Sequence, residues 1–276
     1  MKIDPAVILQ AIDDKILAGS EDGRRDHLGA SLIGGLCERS IFYSFRWAMA
    51  KKFSARMLRL FDRGHKEEFR FEEWIRSISE EFWAIDPRTG SQIRISDLYG
   101  YFGGSLDGVC RNPAGYVGDY LTEFKTHSVK SFDKLVMQGV KESKPEHYTQ
   151  MQIYLKYQPK LTGALYVAIR KNDDEIHIEY IERDPEWAEV YVERAKRILV
   201  AIDPPIGHPG SGEFNYHCRY FCDYGDLCFK GRTPDKSCRT CAFVELTNDG
   251  WMCTKTGEIL TSQAQKDGCS EYERGF

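Results

Sequence analysis

Seven of the nine cysteines in this 276-residue chain fall after residue 217, in CRYFCDYGDLC, in CRTCAFVELTNDGWMC and at Cys269 of KDGCSEY. This feature limits the fold more than any other. A stretch so poor in regular apolar periodicity cannot assemble a core of its own and has to be held by cross-links. Disulfides suit an oxidising compartment, and nothing at the amino-terminal end reads as a secretory leader, because Asp13, Asp14 and Lys15 interrupt the apolar residues of MKIDPAVILQAIDDKILAGS. No apolar run approaches the roughly 20 residues of a membrane span. The expectation is a soluble, cytoplasmic protein with no membrane partner, whose clustered thiols bind metal.

The rest of the chain is long enough for one sizeable core, with the cysteine-rich tail as a small annex. A first helix over residues 5 to 18 leads through a polar loop, Gly19 to Arg25, to GASLIGGLCERS and a second helix from Glu38 to Ala50. A long helix is expected over Ala55 to Glu81, where Met57, Leu60, Phe61, Phe69, Trp74, Ile75 and Ile78 recur at helical spacing. Strands follow at Phe82 to Ile85, Ser91 to Ile95, Tyr99 to Val109 and Tyr116 to Lys125, the last two joined by the turn RNPAG. After a polar stretch, Thr126 to Lys144, a helix opens at Pro145. Two strands, TGALYVAIRK and EIHIEYIERD, and a helix over Pro185 to Ile202 complete the core. This order of elements predicts an α/β or α+β fold, a central mixed sheet flanked by helices.

The net charge of −4 gives no overall attraction for nucleic acid. A basic stripe nevertheless runs through Arg39, Arg46, Lys51, Lys52, Arg56, Arg59 and Arg63, interleaved with Phe42, Tyr43, Phe45 and Trp47. It reads either as a backbone-binding surface or as an ordinary solvated helix face.

Candidate chemistry gathers on the strand GYVGDYLTEFKTHS. Side chains alternate along a strand, so Glu123 and Lys125 share one face and Phe124 points to the other. The spacing alone is weak, since Glu142-Ser143-Lys144 repeats it in a polar segment with no strand around it. What distinguishes Glu123 is its company. Asp107 ends the preceding strand, and if the two strands pair, both carboxylates reach one point, where hard oxygen ligands suit Mg²⁺ or Mn²⁺. Lys125 is then placed to orient a water or to offset charge on a phosphate under attack. Gln150 and Tyr154 lie four apart on one helix face and can donate to a phosphate, and His65 on the long helix offers a nitrogen ligand. Taken singly, each has an ordinary alternative: a turn former beside Gly108, a surface amide, a core ring, a surface histidine.

Together, His65 after Gly64, Asp107 at a strand end, Glu123-Phe124-Lys125 and Gln150-Met151-Gln152-Ile153-Tyr154 resemble the RecB-like branch of the PD-(D/E)XK nuclease superfamily over about residues 30 to 230. The resemblance implies a restriction-endonuclease-like core and a Mg²⁺- or Mn²⁺-dependent deoxyribonuclease. Asp107, Glu123, His65 and the carbonyl of Phe124 would be its metal ligands, Lys125 would serve the attacking water, and Gln150 and Tyr154 would support it. No proline-aspartate pair marks Asp107.

Iron-sulphur nucleases of this branch, among them CRISPR-associated and phage-type exonucleases, place one cysteine before the core and three after it. By that resemblance Cys37, Cys218, Cys222 and Cys228 would hold a [4Fe-4S] cluster; three residues separate Cys218 from Cys222 where two are usual, so His217 or a shifted ligand stays open. Cys238, Cys241, Cys253 and Cys269 open with C-x2-C and suit structural zinc, which leaves Cys110 as a buried strand residue. A mixed partition, or zinc in both sites, is the rival. The expected organisation is an N-terminal helical segment (residues 1–54), a nuclease core (55–204), an iron-sulphur segment (205–232) and a zinc annex (233–276). The expected activity is cleavage from DNA ends, single-stranded or with free termini, in recombination, repair or phage DNA processing, in a bacterial or phage-infected cell, with a recombination or single-strand-binding protein as partner. The stretch Thr126 to Lys144, with Phe132 and Met137 beside its lysines, would be a flap over single-stranded DNA. The alternative is a DNA-end-binding scaffold that keeps the fold without cutting.

Overall fold

A computed structural model of the chain describes residues 3–20 and 23–276, so residues 1, 2, 21 and 22, the last two in the expected Gly19 to Arg25 loop, lie outside the description. In chain order the elements are α1 (Pro5–Ala18), β1 (Leu28–Gly29), α2 (Ala30–Ile33), α3 (Glu38–Phe45), α4 (Ala55–Ser77), β2 (Glu81–Trp83), β3 (Ile85–Asp86), β4 (Ser91–Gln92), β5 (Arg94–Asp97), β6 (Phe102–Ser105), β7 (Gly108–Arg111) and β8 (Asp119–His127). They continue with α5 (Val129–Ser143), α6 (Pro145–Tyr157), β9 (Gly163–Arg170), β10 (Ile176–Ile181), α7 (Pro185–Val200), α8 (Tyr216–Tyr220), α9 (Gly225–Phe229), β11 (Val244–Leu246), β12 (Trp251–Cys253) and α10 (Ser262–Asp267).

The organising element is a five-stranded mixed sheet in the order β10-β9-β8-β7-β2, in which only the β8–β9 pair is parallel. Its fold class is the expected one, α+β with a central mixed sheet flanked by helices. Alternation along β8 divides the core in two. Phe124 turns to the α4 side, where it stacks on Phe71 at 5.1 Å between ring centroids, and Tyr120, Val167 and Ile169 fill the same layer. Leu121 and Tyr166 turn the other way, into the larger core with Met151 and Tyr154 of α6. Ser54 caps α4 by accepting from the Met57 N–H, and Asp184 caps α7 by accepting from Trp187.

The expected strand from Tyr99 to Val109 is two strands in two different sheets. β6 pairs with β1 and β5 in a three-stranded sheet, whereas β7 joins the central one. The glycines explain the break. A Cβ on Gly104 would stand 2.6 Å from the Tyr154 hydroxyl oxygen, and one on Gly108 would stand 2.3 Å from the Phe82 ring, so both backbones approach partners too closely for any side chain. Leu106 and Asp107 form the joint between the sheets.

The stretch after β8 is a helix packed against the sheet. In α5, Phe132 and Leu135 are buried, Arg170 lies 5.2 Å from the Phe132 ring, and Val136 and Met137 stand out into solvent, while a break at Gly139 (φ 71°) lets the Glu179 carboxylate accept from the Val140 N–H. The basic stripe is also largely consumed within the fold. Arg39 donates to the Pro205 carbonyl, Arg46 is buried against Phe42, Trp251 and Phe276, Arg59 pairs with Asp13, and Arg63 donates to the Lys171 carbonyl. Sequence shows charge spacing, but the burial that decides whether a cation faces solvent comes from tertiary packing.

The tail is held by side chains more than by ladders. Arg239 is 1 % exposed, stacks 3.6 Å from the centroid of Trp47, and donates to the Phe45 carbonyl and to Gln265. It thereby joins β11, β12 and α10 to the N-terminal lobe. Among the described residues no helix is long and apolar enough to cross a membrane.

Candidate active site

Register places the two carboxylates. Gly108 pairs with Thr122 in the antiparallel β7–β8 ladder, so Asp107, one step earlier, stands across from Glu123. Asp107 Oδ2 accepts from the Phe124 N–H at 2.8 Å, which locks the joint between the two sheets to the middle of β8. The Lys125 ammonium donates to Glu123 Oε1 and lies 3.8 Å from Asp107 Oδ2. The sequence-derived trio is therefore one contact group.

Its electrostatics are those of an unfinished site. Glu123 is fully buried, and its Oε2 has no hydrogen-bond partner. Burial, and then the charge of Asp107, push the Glu123 carboxyl well above the ordinary carboxylate range, while Lys125 pulls the other way. Burial disfavours the Lys125 charge, but Glu123 and Asp107 outweigh it and hold the ammonium protonated. An orphaned buried oxygen between two carboxylates is a costly arrangement for a protein alone and a fitting one for a divalent cation, since hard oxygen donors are what such an ion takes. The pair thus fits the Mg²⁺ or Mn²⁺ that the sequence suggests. Among the described residues no three His, Cys, Asp or Glu side chains form a ready-made metal shell.

The remaining candidates surround this group. His65 lines the same groove as Lys125 and Phe124. Gln150 is buried and donates to the Tyr154 hydroxyl at 3.2 Å, and burial with the Glu123 charge nearby raises the Tyr154 phenol far above its usual value. Gln150 is thus a buried partner of Tyr154 rather than a surface amide. The repeat at Glu142 is exposed at the end of α5, away from any strand.

Two groups escaped the sequence reading. Glu68 lies one turn beyond His65, and burial followed by the Asp107 charge raises its carboxyl; Glu72 responds to burial and to Asp107 as well. His65, Glu68 and Glu72 are spaced i, i+3, i+7 and so share one face, but α4 carries Arg, Lys, Asp and Glu on its other faces too, and the stripe does not stand out in the sequence. The other group lies beside Lys125. Tyr166, paired with Glu123 in the β8–β9 register, has its hydroxyl 2.8 Å from His127 Nε2 and 2.8 Å from His147 Nδ1, with Ser131 Oγ 3.2 Å from His127 Nδ1. Burial, reinforced by neighbouring lysines, lowers His127 to about 4 and His147 to about 2, so both imidazoles are neutral. One phenol proton cannot serve both nitrogens; one imidazole must accept and the other donate.

All nine cysteines are free thiols. Cys37, Cys218, Cys222 and Cys228 line one narrow cavity with His208 and His217, and His208 Nε2 is 3.4 Å from Cys218 Sγ. The thiols of that set perturb one another, Cys222 being raised by burial and then by Cys228, Cys37 and Cys218. In the second set burial, then Cys269, Cys241 and Cys253, push the Cys238 thiol up to about 11. Thiolate sulphur is a soft donor of the kind iron-sulphur clusters and zinc take, but among the described residues neither set is arranged as a metal shell. Cys110 is buried on β7, apart from both sets, where burial raises it to about 11.

No protein-family model matches the chain, and no curated protein is similar to it in sequence. Among solved structures the chain is similar to SSO0001, at 18% identity over 80% of this chain and 96% of the other, with a TM-score of 0.49. It is also similar to the alkaline exonuclease LHK-Exo from Laribacter hongkongensis, at 17% identity over 67% of this chain and 90% of the other, with a TM-score of 0.46. The same values hold for LHK-Exo in complex with dAMP.

Proposed function

We propose that the chain is a divalent-metal-dependent deoxyribonuclease of the PD-(D/E)XK type, acting on DNA ends. The observation that carries this reading is the Asp107–Glu123–Lys125 group, in which a buried carboxylate oxygen lacks any partner beside a second carboxylate and an ammonium. Glu123 and Asp107 would hold the cation, with His65 and the Phe124 carbonyl as further donors. When bound, the cation supplies a water of lowered pKa and a counter-charge for phosphate oxygens. Lys125, fixed between the two carboxylates, aligns the attacking water and offsets charge as it develops on the phosphate. Tyr154, held by Gln150, presents a neutral hydroxyl to the same space. Cys37 with Cys218, Cys222 and Cys228 would bind a [4Fe-4S] cluster that fastens the segment before the core to the segment after it, and Cys238, Cys241, Cys253 and Cys269 would bind zinc. End-labelled linear DNA and closed circular DNA, incubated with Mg²⁺ or Mn²⁺, test the reading. Degradation of the linear form alone is expected of an exonuclease. Cleavage of the circle would make the protein an endonuclease, and binding without cleavage in either metal would leave the scaffold reading.

A further inference from the structure

The groove that reaches Lys125 and Glu68 encloses about 1050 Å³ and runs past Phe61, Phe53 and Lys51 to Arg25 and His27. A second cavity, of about 620 Å³, begins at the same Arg25 and His27 and continues to Arg94, Tyr99 and Asn248. Arg25 and His27 line both spaces, so the two adjoin there along the surface. Four of its cations, Arg25, Lys51, Lys171 and Arg94, pair with no carboxylate among the described residues. Of the acids on the path among the described residues, Asp26 is committed to Arg239 and Ser262 and Asp62 to Lys66, which leaves Asp249 at the far end and Glu68 at the catalytic end. Arg94 and Arg25 both depress His27, after burial, which places all three together.

At the far end stands Tyr99, 72 % exposed. Its backbone is left-handed (φ 59°), as is that of Leu98 (φ 50°), a conformation that non-glycine residues avoid. Both flanks are tied down. The Tyr101 hydroxyl donates to the Thr247 carbonyl at 2.8 Å, the Tyr101 carbonyl accepts from Leu28, and Asp97 bonds the Tyr157 hydroxyl. Among the described residues the Tyr99 ring itself meets no other ring, cation or hydrogen-bond partner. A strained turn, braced on both sides, holds an aromatic face out beside two unpaired arginines.

We propose that Arg25, Arg94 and Tyr99 form a remote subsite for single-stranded DNA, in which the arginines take backbone phosphates and a base stacks on the Tyr99 ring. Single-stranded DNA is the occupant that fits, because cations (Lys51, Arg25, Arg94) and rings (Phe61, Phe53, Tyr99) line the same surface, as a strand with a charged backbone and stacking bases requires. The subsite rests on the nuclease reading for its direction, since the strand would leave the carboxylate centre along this path.

The test is equilibrium binding of labelled oligothymidylates in a chelating buffer, one too short to reach from Lys125 to Tyr99 and one long enough to pass it. The parent protein is expected to prefer the long strand. Tyr99→Gly relaxes the left-handed backbone yet removes the ring, so it should melt no lower than the parent while losing about tenfold in affinity for the long strand alone; Tyr99→Phe should keep the parent affinity. Arg94→Gln should reduce the salt slope of long-strand binding by about 0.7. Unchanged length preference and salt slope in Tyr99→Gly and Arg94→Gln would overturn the subsite, even if the parent cuts DNA in Mg²⁺. A length preference erased by these variants in a protein that cuts nothing would sustain the subsite and remove the nuclease. A parent that binds neither strand would remove both.

Discussion

The carboxylate centre and the cysteine-rich tail are built on opposite plans. Asp107, Glu123 and Lys125 owe their meeting to strand register, a property spread over every hydrogen bond of the β7–β8 and β8–β9 ladders. The tail has two three-residue strands and short helices, and its position depends on a few side chains, Arg239 above all. A centre set by a ladder should largely survive loss of its own side chains, because the ladder is backbone and only Asp107, through the Phe124 N–H, bonds to it. A tail set by a few contacts should not.

The comparison breaks most sharply at Glu123. Glu123→Ala and Asp107→Ala are expected to lower DNA cleavage by at least about a hundredfold. Thermal unfolding of Glu123→Ala should move little, since the cost of the orphaned Oε2 and the ion pair that Oε1 makes with Lys125 are lost together. Full cleavage by either variant in saturating Mn²⁺ would show that register has brought these groups together for another purpose.

Cys37→Ser is the counterpart in the tail. It should cost the protein the metal of its own set and several kcal/mol of stability. Metal analysis of anaerobically purified protein is expected to find iron lost and zinc retained; zinc in both sets of the parent would replace the cluster without touching the carboxylates. Arg239→Met comes next, at about 3 kcal/mol, because it strands the Phe45 carbonyl and unstacks Trp47. Hydrogen exchange should locate the loosening in β11, β12 and α10, with β8 unaffected.

A smaller effect belongs to the buried imidazoles. His127 and His147 titrate at about 4 and about 2 in the folded protein against 6.5 unfolded, so the unfolded chain binds protons first. Their contribution to stability is complete above about pH 6.5 and declines as pH falls toward 4. Melting curves across that window should slope less in a His127→Gln, His147→Gln double variant than in the parent. Smallest of all is Glu142→Ala, which removes an exposed carboxylate at a helix end and should leave cleavage and melting unchanged.

How much the sequence revealed follows the same division. A strand's period of two was enough to put Glu123 and Lys125 on one face, and Pro145 marked the start of α6 correctly, because both signals are local. The break at Leu106 was not legible, since its cause is the proximity of Tyr154 and Phe82 to two glycines distant in sequence. Tyr166 was read only as part of an apolar strand, and its bonds to His127 and His147 come from three separate elements. Glu68 shares a face with His65, but on a helix as charged as α4 one more carboxylate carries no signal until the fold sets it beside Asp107. Arg46 and Arg239 show the opposite error, for a charge in sequence gives no hint that aromatic rings will enclose it.

The joint at Leu106 and Asp107 has a consequence for how such a chain can change. The two strands it connects answer to different sheets, so an inserted residue there need disturb neither ladder, yet it would carry Asp107 out of line with Glu123. A lineage could pass from cutting to mere holding, or return, through one codon at this position, keeping its architecture, its thiol clusters and its path for a strand throughout.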